Sequence, residues 1–109
     1  MSKIITSPVK RFPGTVTLQD PLYYPQVIAF QRAVDDAQAL PAGSYQIEYD
    51  RAVLPGLLAA VEEWNITGVD KHPTPDTFPV APIKAAHALH AWLMQEVGIL
   101  FTGDEIPND

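Results

Sequence analysis

Apolar residues recur along this chain at two spacings, and the spacings divide it into elements. Val27, Phe30, Val34 and Ala37 fall at i, i+3, i+7 and i+10, one face of a helix, with Gln31, Asp35 and Gln38 opposite. Pro25 suits the first turn, where its missing N–H costs nothing, and Pro41 and Gly43 close the pattern, which predicts a helix over about 24–39. Leu54, Leu57, Leu58, Val61 and Trp64 continue the same spacing and predict a second helix over about 53–65. Its start is placed near 52–54 because Pro55 removes a backbone donor and is tolerated only in a first turn. A third stripe, Ile83, Ala86, His90, Leu93, Val97 and Leu100, widened by Leu89 and Trp92, predicts a helix over about 82–101, opened by Pro82 and ended by Gly103. Gly98 inside it costs about 1 kcal/mol relative to alanine, which points to close packing against a neighbour there.

Alternation replaces the helical spacing at Thr15–Leu18, a β-branched run behind the turn signal Phe12-Pro13-Gly14. This predicts a short strand, with Lys3–Thr6 or Tyr45–Tyr49 as its partner. The fold class is therefore mainly α to α+β: three helices, with one or two short strands near the N-terminus. The organisation expected is one domain, with an extended or irregular segment over 1–23, a helical core over 24–103 and an acidic tail over 104–109. The prolines sit singly between apolar and aromatic residues, as punctuation and not as a disordered linker. Residues 66–81, with Gly68, Pro73, Pro75 and Pro79, read as a long loop, a place where function often resides.

At 109 residues and 47% hydrophobic, the chain can bury a core. Seven basic against thirteen acidic residues give net charge −6, which argues against a binder of the nucleic-acid backbone. The absence of cysteine removes disulfides and thiolate metal sites. Neither a membrane span nor the apolar stretch of a signal peptide is visible, so a cytoplasmic protein is expected.

The raw material for catalysis is thin. His87 and His90 stand three residues apart on the third predicted helix, and His72 precedes it, but no acidic ligand accompanies them at a metal-site spacing. His90 reads as a packed core histidine. The pairs Asp35-Asp36, Glu62-Glu63 and Asp104-Glu105 are sequence neighbours, which on a helix point apart. No nucleophile elbow, phosphate loop or dinucleotide fingerprint occurs. The sequence points to a non-enzyme without metal or cofactor. Tyr23, Tyr24 and Trp92 combine large area with a polar tip and suit a protein interface; Trp64, on an apolar stripe, reads as core, and Trp92 fits either role.

From Leu54 to Gly68 an apolar helix closes on Glu63-Trp64-Asn65-Ile66, followed by a turn, by Thr74-Pro75-Asp76 with Phe78-Pro79, and by a last helix. This arrangement, with the opening Phe12-Pro13-Gly14-Thr15-Val16-Thr17-Leu18, is similar to the small tail-assembly chaperones of long-tailed bacteriophages. The resemblance implies a mainly helical, non-enzymatic factor in the cytoplasm of a bacterial host. It implies binding to tape-measure protein, tail-tube protein or both, with Tyr23, Tyr24, Trp64, Asn65, Phe78 and Trp92 as partner-binding candidates. A virion adaptor or minor tail protein, and a small acidic inhibitor of a host or phage enzyme, stay open as alternatives.

Overall fold

The computed structural model describes residues 2–102. Their order is β1 (Ser2–Thr6), β2 (Gly14–Gln19), α1 (Tyr24–Gln38), α2 (Gln46–Leu58), β3 (Val61–Ile66) and α3 (Ile83–Thr102). The strands form one antiparallel sheet in the order β1-β2-β3, so three helices and a small sheet make an α+β fold. Gly103 and the acidic tail 104–109 lie outside the described residues.

The Thr15–Leu18 alternation does form a strand, and its partner is the N-terminal run: Ile5 faces Val16 and Lys3 faces Leu18. Gly14 opens β2 at φ 137°, a backbone state that L side chains rarely adopt. A Cβ there would stand 2.0 Å from the Asn65 carbonyl oxygen, so only glycine lets β2 approach β3 at this point. Ile5, Val16, Leu18, Trp64 and Ile66 turn to the interior, where Leu54, Leu57, Leu89, Leu93 and Val97 meet them as the core.

Two expectations need correction. The second helix exists but lies earlier, over Gln46–Leu58, and Val61–Ile66 is strand. Tyr45–Tyr49, the alternative strand partner, is the N-cap and first turn of α2 instead. The cause is a β-bulge. Thr17 pairs with Glu63 and Leu18 with Val61, so Glu62 is an extra residue. It stretches the inward spacing from two residues to three, and Val61 and Trp64 then imitate a helical i, i+3 pair. Pro55 is accordingly a true helix-interior proline, on the exposed side of α2.

Gly98 was expected to mark close packing, yet an added Cβ there would meet nothing within 4 Å. The close approach is at Gly56. A Cβ on it would lie 2.7 Å from Phe30 Cα and 2.9 Å from Ala33 Cβ. Gly56 is where α2 seats on α1, backbone nearly against backbone.

The first helix spans almost the predicted range and buries Phe30, Ala33 and Ala37. Gln26 reaches back to accept the Tyr23 backbone N–H at 3.1 Å, tying down the helix entrance. Pro82 stands just before α3 and its carbonyl accepts the Ala86 N–H at 2.9 Å. Phe101, near the far end of α3, packs its ring on Phe30 with centroids 4.7 Å apart. No helix among the described residues is long and apolar enough to cross a membrane.

Candidate functional site

The proline-rich stretch between β3 and α3 is held as a defined structure. Thr74 accepts from Phe78 N–H at 2.9 Å through its carbonyl, and its own N–H donates to Thr77 Oγ1 at 2.8 Å. This turn drives the Phe78 ring inward, where it meets Trp64 edge-on with centroids 6.0 Å apart. Asp76 then pairs with Arg51 of α2 at 2.6 Å and ties the outside of the loop to the helix.

Between this loop, the first half of α2 and the first two turns of α3 lies a groove of about 530 Å³. Its floor is Leu54, Phe78 and Ala86, all buried. Its rim is apolar and open to solvent: Ile83 is 80% exposed, Tyr45 75%, Val80 51% and Ile47 46%. These make four of the eight large apolar side chains exposed among the described residues, so half of those side chains border a single depression.

One wall is polar, built from Asp50 of α2 and two imidazoles of α3. His87 Nδ1 donates to Asp50 Oδ2 at 3.1 Å. His90 Nε2 lies 2.9 Å from the Asp50 backbone carbonyl oxygen, which can only accept, so that nitrogen carries a proton. His90 Nδ1 lies 3.7 Å from Asp50 Oδ1. Burial pushes the His90 pKa below its ordinary value of 6.5, against the pull of the Asp50 charge and the carbonyl hydrogen bond, while the neighbouring His87 lowers it further. His90 thus works first as a neutral staple between α2 and α3, in keeping with its expected place in the apolar stripe.

An aspartate-bound histidine at a groove invites comparison with a catalytic dyad, but the lining contains no serine, threonine or cysteine to be activated. His72 does not join the other two histidines. It lies in a second, more polar hollow of about 420 Å³ with Glu62, Glu63 and Lys71. Among the described residues no three His, Asp or Glu side chains are arranged to hold a metal ion.

The residues singled out from sequence fall in separate places. Tyr23 and Tyr24 are exposed together at the entrance of α1. Trp64 and Phe78 are buried in mutual contact, and Asn65 is exposed on β3, with its amide donating to Glu63 Oε2 at 3.2 Å. Trp92 is half-buried against the core. Of the six, Phe78 alone lines the groove. The rim residues Tyr45, Ile47, Val80 and Ile83 were not among the candidates. The spacing puts Ile83 in the apolar stripe of its helix, and Tyr45 and Ile47 in one of the two alternative partners of the Thr15–Leu18 strand. A usable signal was present in Val80 and Ile83 flanking Pro82, since apolar residues at a helix entrance have fewer neighbours to cover them.

Comparison with protein-family models, with curated proteins and with solved structures finds no match to this chain.

Proposed function

We propose that this protein is a non-enzymatic assembly factor that holds an apolar segment of a partner protein in the groove between α2 and α3. The observation that carries this reading is the gathering of Tyr45, Ile47, Val80 and Ile83 around one apolar depression of about 530 Å³. A cleft with an apolar floor and exposed aliphatic rim suits the side chains of a helix or extended segment laid along it. The net charge of −6 keeps a protein with such a surface from associating with itself. Val61–Ile66 is strand and not the end of a helix, so the likeness of residues 54–101 to tail-assembly chaperones is one of residue order alone; it names the clients to try first, a phage tape-measure protein and a tail-tube protein.

The test is site-specific photocrosslinking during co-expression with those two proteins from the same genome. A crosslinker replacing Ile83 should capture one of them, and one replacing Ile4, also well exposed but on the sheet, should not. Separate elution of all three proteins, with no crosslink from position 83, would refute the reading.

A further inference from the structure

We infer that the segment this groove takes is an apolar stretch carrying a carboxylate, an aspartate or glutamate beside its aliphatic anchors, recognised by Lys84 and His87. This rests on the groove being a partner site and adds to it the chemistry of the partner. The starting point is an inversion of charge. Acidic residues outnumber basic ones by thirteen to seven over the chain. Lining the groove, by the same count, are two basic residues, Arg51 and Lys84, and one acidic residue, Asp50.

The groove's existing partnerships sort these groups. The Asp50 carboxylate already accepts from His87 Nδ1 and Gln46 Nε2, its backbone carbonyl accepts from His90, and Arg51 is held by Asp76. Lys84 is exposed and forms no ion pair among the described residues. His87 gives Nδ1 to Asp50, which leaves Nε2 with no partner among the described residues. Lys84 and His87 are three residues apart on α3 and therefore share a face, the one that also carries Ile83. An incoming carboxylate can accept from the ammonium while its aliphatic neighbours cover Ile83 and Val80. A basic segment would meet Lys84 and Arg51 with its own charge, so the groove discriminates by repulsion as well as attraction. An apolar surround strengthens the contact relative to open water, because covering the rim removes solvent from around the charges.

The experiment is selection of a random dodecapeptide library on the intact protein, followed by anisotropy titration of the enriched peptides. Enriched peptides should combine aliphatic or aromatic residues with Asp or Glu. Lys84→Glu should weaken them roughly tenfold, and changing the peptide's acid to lysine should restore binding to that variant. Peptides lost on Ile83→Asp but indifferent to Lys84→Glu, without acidic preference, would overturn this inference and leave the groove as a binding site. Peptides indifferent to Ile83→Asp would overturn the groove itself, and with it the inference. Both substituted residues are exposed, and circular dichroism of each variant verifies that it folds.

Discussion

Glycine occurs twice inside helices of this protein, and the structure assigns opposite outcomes to the same substitution. By helix propensity alone, Gly56→Ala and Gly98→Ala should each stabilise by about 1 kcal/mol. At Gly98 the new methyl meets nothing within 4 Å, so that gain, roughly 0.5–1 kcal/mol, should be realised. At Gly56 the methyl would lie 2.7 Å from Phe30 Cα, 2.9 Å from Ala33 Cβ and 3.0 Å from the Ala29 carbonyl oxygen. None of these is the end of a flexible side chain, so α1 and α2 must separate. Overpacking of this kind costs about 1–3 kcal/mol, and the rigidity of the three contacts argues for the upper part of that range. Subtracting the propensity gain leaves Gly56→Ala destabilised by about 1–2 kcal/mol. At about 4–8 °C per kcal/mol for a domain near this size, the melting temperatures should move in opposite directions by several degrees each. Urea unfolding followed by tryptophan emission and by far-UV circular dichroism gives the free energies, and unchanged m-values would show that the folded state stays compact. Equal stabilisation by both substitutions would refute the account of how α1 seats on α2.

The remaining predictions concern the groove and its wall. Because the folded protein holds the His90 pKa below 6.5, His90 contributes stability that is complete above that pH and declines as pH falls from 6.5 towards the lowered value. Between about pH 7.5 and 5.5 the wild type should therefore lose more stability than His90→Gln, whose amide can still donate to the Asp50 carbonyl; identical slopes would refute the burial argument. Ile83→Asp should change unfolding free energy by less than about 0.5 kcal/mol, whereas Leu89→Ala, at a position 0% exposed in the same helix, should cost about 2–5 kcal/mol by chemical denaturation. Pro55→Ala returns a donor to the Arg51 carbonyl at an exposed helix position and should raise stability by about 1–2 kcal/mol; a fall in melting temperature would count against the unbroken helix over Gln46–Leu58.

The difference between what the residues announced and what they form is instructive at α2 and β3. Pro55 and the Val61–Trp64 spacing each argued for a helix starting late and ending late. Both are local rules, and both yielded to tertiary contacts. Pro55 is accommodated inside α2 because the next residue, Gly56, is needed against Phe30, which fixes the helix in place whatever the proline costs. Val61 and Trp64 look helical because of a bulge, and a bulge is defined by its pairing partner, here Thr17 and Leu18 some forty residues earlier. Where the pattern needed no distant partner, as in α1 and α3, the predicted range and the helix agree to within a residue or so.

The groove was hidden for a related reason. Periodicity assigns a residue to a helix face but does not say whether the neighbouring elements reach far enough to cover it. Ile83 and Ala86 lie on one stripe, yet Ala86 is buried and Ile83 is not, because the loop carrying Pro79 and Val80 runs beside the entrance of α3 without closing over it. The polar wall is likewise a product of assembly: Asp50 and His87 are thirty-seven residues apart and meet only when α2 and α3 pack. His90 could be read correctly from its stripe because its role is burial, a property of one helix. His87 could not, because its role depends on which carboxylate the fold delivers to it. The same reasoning explains why Lys84, unremarkable in a sequence with seven basic residues, acquires meaning beside an apolar groove whose one lining carboxylate is already taken by His87 and Gln46.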